Sequence, residues 1–180
     1  MLLGLLVGIF IPLGFIVVSN SVSEHILTID QIERYAGIPV ASSIGHFGMD
    51  KYGKIIDDHK WKLVESFRDL SASLQFLLPN SQNNIIGVTS TMPGEGKTFC
   101  ATNLGMIFAE GGKKILLVDT DLRNPSLVED IERVKGKGLV NYLRGEIEFI
   151  NEIIYEHEEI ENLHYIPTYP IDGNPHKLLT

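Results

Sequence analysis

The arrangement of apolar and polar positions divides the chain into stretches of different kind. Residues 1–18 are apolar throughout, with no charged and no hydrogen-bonding side chain. Residues 19–57 are mixed and turn-rich, with Gly37-Ile38-Pro39-Val40 and a polar stretch from 42 to 54. From 58 to 78 the period becomes helical: Trp61, Val64, Phe67, Leu70, Leu74 and Leu77 recur every three or four residues, which predicts a helix laying one face on a sheet. Two short runs have the length and composition of buried strands, Asn84-Ile85-Ile86-Gly87-Val88-Thr89-Ser90 and Lys114-Ile115-Leu116-Leu117-Val118. Between them, residues 97–110 fit a helix ended by Gly111-Gly112. Short helices at 127–134 and 139–144, a helical continuation over 149–155 and a third strand at 163–166 complete the expected order. Strand, helix and strand in this sequence predict an α/β fold whose strands are parallel and joined by a right-handed crossover.

As a helix, residues 1–18 would be about 27 Å long, close to the hydrocarbon thickness of a bilayer. A signal peptide would have a basic start and a small-residue cleavage site, and a buried core helix usually keeps a polar stripe; neither fits. The span reads as transmembrane, with Pro12 as a point of kinking and Gly4 and Gly8 as a GxxxG that chance also produces in short apolar stretches. Charge does not orient it, because only Arg34 is basic among the next thirty residues. The organisation expected is therefore a membrane helix (1–18), a juxtamembrane linker (19–57) and an α/β domain (58–180).

The chemistry is concentrated between the first two strands. Ser90-Thr91-Met92-Pro93-Gly94-Glu95-Gly96-Lys97-Thr98 joins strand to helix with the ingredients of a phosphate cradle. Bare N–H groups and the positive end of the helix face an anion, a lysine adds a point charge for the β/γ-phosphates, and a hydroxyl binds Mg²⁺. Those side chains are Lys97 and Thr98. The usual pattern has glycine where this chain has Thr91, but Gly94 and Gly96 keep the lysine side of the loop permissive. The second strand ends in Asp119-Thr120-Asp121-Leu122-Arg123-Asn124-Pro125. A crossover would bring Asp119 and Asp121 beside Thr98, where carboxylates hold a hard cation directly or through water and can accept a proton from a substrate hydroxyl. Arg123 either contacts phosphate or stabilises the turn.

These residues carry a resemblance. Glu65-Ser66-Phe67-Arg68-Asp69-Leu70, Pro93 to Thr98, Asn103-Leu104, Val118 to Pro125 and Asn174-Pro175-His176-Lys177-Leu178-Leu179 are similar to bacterial tyrosine kinases of the polysaccharide co-polymerase type. In that family a membrane-anchored chain-length regulator carries a cytoplasmic P-loop kinase. The resemblance implies a P-loop NTPase-like fold and ATP-dependent autophosphorylation on tyrosine, regulating capsular or exopolysaccharide synthesis, chain length and export at the bacterial inner membrane. It implies ATP and Mg²⁺ as cofactors. The nucleotide set would be Pro93, Gly94, Glu95, Gly96, Lys97, Thr98, Phe99 and Arg123, the metal set Thr98, Asp119 and Asp121, and the catalytic set Lys97, Asp119 and Asp121.

Family members also have an E-x-x-R-x-x-R helix that contacts the neighbouring subunit and closes a ring. This chain has Glu65 and Arg68 but Ser71 in third place, and a serine cannot replace a guanidinium fork, so a homo-oligomer is expected with its ring weakened. The partners implied are the membrane, the tyrosine-rich tail of a neighbouring subunit and the export machinery. The family pattern continues past the Asn-Pro-x-x-Leu-Leu segment with another metal-binding strand and that tail, and begins with another membrane helix, so the sequence reads as a piece of a longer protein. Two other readings stand beside the kinase. One is a P-loop ATPase switch of the partitioning type; its signature lysine, five residues before the loop lysine, is Met92 here. The other is a non-catalytic regulatory subunit.

Composition narrows the classes. A formal net charge of −8 argues against nucleic acid, and the seven glutamates between Gly145 and Asn162, with no lysine or arginine, describe a solvated acidic face. Cys100 is the one cysteine, expected as a core thiol of the loop-following helix. The six histidines have no metal-ligand spacing, and the six tyrosines, at 35, 52, 142, 155, 165 and 169, form no cluster along the sequence.

Overall fold

The computed structural model of the chain describes Gly8, residues 11–14, 28–45, 60–79, 84–127, 136–171 and Leu178. Residues 1–41 and 42–180 form separate compact units. Most of the expected membrane span lies outside the described residues, among which no helix is long and apolar enough to cross a membrane.

In the first unit, helix α1 (Ile29–Ala36) occupies part of what the sequence suggests is a turn-rich linker. Thr28 Oγ1 accepts from the Gln31 N–H, and the Thr28 N–H donates to Gln31 Oε1, a reciprocal cap that satisfies two donors left over by the helix start. The Gly37 N–H closes the other end on the Glu33 carbonyl.

The second unit is built from α2 (Lys60–Leu77), α3 (Lys97–Glu110), β1 (Ile115–Val118), α4 (Leu139–Leu143), a 3-10 turn at Ile150–Ile153, β2 (Tyr155–Glu156) and β3 (Leu163–Ile166). The strands form one sheet in the order β1-β3-β2, with β1 and β3 parallel and β2 and β3 antiparallel. The third strand and the helices at 97–110 and 139–144 thus stand where the apolar pattern puts them. Residues 149–155 differ: instead of a helix they make the 3-10 turn and enter β2, because Ile153 is drawn fully into a core with Ile147 and Ile166.

The first expected strand also differs. Residues 84–90 belong to no sheet ladder of the described structure, and Ile85 is 99 % exposed. A crossover fixes the sense and hand of the next strand, not its neighbour. Here β1 pairs with β3 on one side and is an edge strand of the described sheet, and strand propensity alone supplies no ladder partner for residues 84–90. One face of β1 is likewise open, since Leu116 and Val118 are exposed while Ile115 and Leu117 are half-buried.

Helix α2 packs on α3 and not on the sheet: Leu63 and Phe67 meet Leu104 and Phe108, and the Phe67 and Phe99 rings lie edge to face with centroids 5.7 Å apart. Leu63, Phe67 and Ser71 are spaced four apart and share the buried face, whereas Trp61 and Leu77 fall on exposed faces despite fitting the apolar count. Cys100 is half-buried against the same core, and burial pushes its thiol up, in keeping with a packed, unreactive sulfur. Helix α3 comes close to β1 at Gly105, where an added Cβ would lie 3.0 Å from Leu117 Cδ2.

The start of α4 is pinned to the end of β3. The Leu139 N–H donates to the Pro167 carbonyl at 2.8 Å, and a Cβ on Gly138 would meet that carbonyl oxygen at 2.4 Å and Tyr169 Cε2 at 3.0 Å. A backbone oxygen cannot swing away as a side chain does. Gly138→Ala is therefore expected to destabilise the fold by about 1–3 kcal/mol, read as a lowered urea midpoint with an unchanged slope.

Candidate functional site

The loop between residue 90 and α3 turns on two glycines. Gly94 and Gly96 have φ of 81° and 87°, in the left-handed region where a side chain is strained, and Gly96 is the N-cap of α3. Thr91 needs no such freedom, because Asn162 is the one non-glycine with positive φ among the described residues. Threonine at a usual glycine position is thereby accommodated. No side chain caps α3, so the N–H groups of its first turn lack intrahelical partners and face the loop. Two ties hold the mouth. Lys97 Nζ donates to Ser90 Oγ at 3.2 Å, and Ser90 Oγ donates to the Met92 carbonyl at 2.8 Å. On the other side the Glu95 carboxylate accepts from the Thr91 and Met92 N–H groups at 3.0 and 3.1 Å. The Met92 N–H foremost, with Ser90 and Thr91 adding to it and slight desolvation opposing, holds the Glu95 carboxyl below the usual carboxylate range.

The ladder between β1 and β3 carries on to the aspartate, whose N–H donates to the Ile166 carbonyl at 3.1 Å. Asp119 is half-buried; Oδ1 accepts from the Asp121 N–H at 3.0 Å and Oδ2 from the Leu127 N–H at 3.2 Å. The hydroxyl of Thr98 is hydrogen-bonded to that of Ser126. Ser126 and Leu127 are consecutive, so the loop's hydroxyl and the strand's carboxylate are tied to the same short segment. Asp121 is exposed and its Oδ1 accepts from the N–H groups of Arg123 and Asn124 at 3.2 and 3.0 Å. The backbone of Arg123 thus belongs to the turn, and its side chain is exposed.

Of the residues singled out in the sequence, Thr98 and Asp119 are linked through the adjacent Ser126 and Leu127, Asp121 follows in the same turn as Asp119, and Lys97, next to Thr98 in the chain, reaches Ser90. Pro93 is exposed in the loop, and Phe99 faces away into the contact with Phe67. Glu65 and Arg68 stand elsewhere, paired on the outer face of α2 at 3.3 Å with both side chains more than half exposed. Ser71, third in that pattern, is buried at 5 % exposure and accepts from Gln75 Nε2. Ser126 was not legible as a site residue, although a hydroxyl directly before an apolar helical start is a recognisable cap signal. The structure also gathers tyrosines that the sequence scatters. Tyr155 stacks on Tyr165 with centroids 5.8 Å apart, the Tyr155 hydroxyl donates to the Lys137 carbonyl, and the Tyr169 hydroxyl accepts from the Gly136 N–H. Burial pushes the Tyr155 and Tyr165 hydroxyls up. Tyr52 lies outside the described residues.

The donor set suits a magnesium-bound polyphosphate: an uncapped helix start and an ammonium for the anion, a hydroxyl and carboxylates for a hard cation. Among the described residues no three His, Cys, Asp or Glu side chains converge into a self-sufficient metal site. The cation implied is one held jointly by protein oxygens and phosphate, as is usual for Mg²⁺.

Comparison with known proteins agrees. Residues 83–171 match the AAA domain family. The putative tyrosine-protein kinase EpsB of Ralstonia nicotianae is 36 % identical over 116 residues, covering 64 % of this chain and 15 % of EpsB. The kinase domain of the Escherichia coli tyrosine kinase ETK superposes with a TM-score of 0.69 at 27 % identity, covering 84 % of this chain and 63 % of that structure. The BceF tyrosine kinase domain gives 0.71 at 26 % identity, covering 85 % and 66 %. The chain thus spans about a seventh of EpsB's length and a little under two thirds of the ETK kinase domain. Its fold is that of the P-loop kinase domains, and its sequence is similar to proteins named bacterial tyrosine-protein kinases.

Proposed function

We propose that this chain is part of an ATP-dependent protein-tyrosine kinase that regulates exopolysaccharide synthesis, chain length and export. The observation that carries the reading is the tie of the Thr98 hydroxyl and the Asp119 carboxylate to the adjacent residues Ser126 and Leu127, beside Lys97 and the uncapped start of α3. The names of EpsB, of ETK and of a putative tyrosine-protein kinase in the cps region of Klebsiella pneumoniae support the reaction and its setting.

When bound, MgATP supplies the phosphoryl group to be transferred. Around it, Lys97 releases Ser90 to neutralise phosphate charge, and the N–H groups from Gly94 to Phe99 orient the phosphates. The hydroxyl of Thr98 and the carboxylates of Asp119 and Asp121 would hold the cation, which would help neutralise phosphate charge. Asp119, the more buried of the two, is placed to receive the proton of an incoming tyrosine hydroxyl. Arg123, exposed at the turn, is free to reach phosphate. We assign residues 1–18 to a membrane helix, 19–57 to a linker and 58–180 to the kinase portion on the cytoplasmic side of the plasma membrane. The acceptor is a tyrosine-rich segment of a neighbouring subunit. Glu65 and Arg68 are the proposed subunit contacts, and the buried Ser71 removes one guanidinium from that surface. Met92 in place of a second loop lysine disfavours the ATPase-switch reading.

Titration calorimetry tests the site. The chain is expected to bind MgATP, and Lys97→Met to weaken binding on the order of tenfold to a hundredfold. Label transfer from ATP to a tyrosine-rich peptide separates the readings: phosphotyrosine supports the kinase, and phosphate release with no labelled peptide supports the switch. Ser126→Ala is expected to lower affinity about threefold to tenfold when Mg²⁺ is present and to leave it unchanged in EDTA, since the hydroxyl acts through Thr98. Equal loss in both conditions would contradict that role.

A further inference from the structure

The Glu95 side chain lies inside the phosphate loop, yet none of its hydrogen bonds points to the helix start. Oε2 accepts from the N–H groups of Thr91 and Met92 at 3.0 and 3.1 Å, and Thr91 Oγ1 lies 3.3 and 3.4 Å from the two carboxylate oxygens. The carboxylate therefore spans the loop from its fifth position back to its first and second. That span encloses Gly94, whose left-handed backbone would otherwise act as a free swivel between loop entry and helix.

A loop that opens with glycine can turn its first N–H groups inward. Thr91 is in an ordinary conformation here, and the N–H groups of Thr91 and Met92 both take the Glu95 carboxylate as their acceptor. Bonds to an ionised acceptor are the stronger kind, and here they close short rings of three and four residues. The Lys97–Ser90–Met92 tie closes the same mouth from the other side. The two ties hold the loop entry, and the Glu95 carboxylate uses none of the N–H groups of the uncapped helix start.

We infer that Glu95 is a positioning residue for nucleotide binding: its carboxylate locks the loop entry through Thr91 and Met92 and so preorganises the amide cradle, without touching the phosphates itself. This rests on the nucleotide reading given above. It also accounts for an acidic residue within a loop built for a polyanion, where a carboxylate aimed at the ligand would repel it.

The test compares wild type, Glu95→Ala and Glu95→Gln. Glutamine keeps an acceptor oxygen and removes the charge; alanine removes both. Glu95→Ala is expected to weaken MgATP binding about tenfold, and Glu95→Gln to restore most of the loss. Amide exchange measured by NMR without nucleotide should show protected Thr91 and Met92 N–H groups in wild type and the glutamine variant, and unprotected ones in the alanine variant. Thermal stability should be the same in all three, because the side chain is exposed. Alanine binding as tightly as wild type, or exchange at Thr91 and Met92 unaffected by alanine, would overturn the assignment. Wild type that binds no MgATP while Thr91 and Met92 are protected would instead overturn the nucleotide reading on which it stands.

Discussion

Both halves of the site are tied to one short segment, Ser126-Leu127. The hydroxyl of Thr98, at the start of α3, bonds the Ser126 side chain, and the carboxylate of Asp119, at the end of β1, takes the Leu127 N–H. Each bond alone is a modest contribution of about 1 kcal/mol. Their value lies in geometry, because the start of α3 and the end of β1 are both tied to one segment. Chemistry that relies on positioning and charge neutralisation needs that kind of pre-arranged contact.

The packing beneath makes the contact possible. Leu63 and Phe67 of α2 seal one side of α3, whose residues Leu104 and Phe108 complete the cluster, and Gly105 lets the helix approach Leu117 of β1. A fully buried side chain such as Phe67 contributes about 1.5–3 kcal/mol through removal from water, far more than any polar tie in the loop. The core therefore sets where α3 begins, and the loop ties set how its first turn is presented. Residues 84–90 and the open face of β1 leave apolar surface uncovered, and β1 and β2 are the edge strands of the described sheet. Such edges attract further strands.

Much of the fold was legible from residue order. Helix α3 and β1 follow from an apolar run, a glycine pair and another apolar run, and the candidate site residues Lys97, Thr98 and Asp119 stand at the ends of those elements. Four features were not legible. Residues 84–90 have the composition of a strand, but composition carries no information about the ladder partner, and in the described sheet they join none. The buried face of α2 is hidden in the sequence because Trp61 and Leu77 fit a three-or-four count that Leu63, Phe67 and Ser71 fit better, and a serine gives no apolar signal. Residues 149–155 alternate too briefly to separate a helix from a turn and a strand. Ser126 acts through a contact twenty-eight positions away, which no local pattern contains. Helix α1, in contrast, was announced by Thr28, Gln31 and Gly37 and could have been read from its caps.

The central claim is that one cation can touch the neighbourhoods of both Thr98 and Asp119. Paramagnetic broadening by Mn²⁺ bound with ADP measures this directly, since a single bound ion broadens backbone resonances around it within a limited radius. The account predicts that the signals of Thr98, Asp119 and Ser126 disappear together at the same Mn²⁺ level. Loss of the Thr98 signal with Asp119 and Ser126 unaffected at saturation would contradict it.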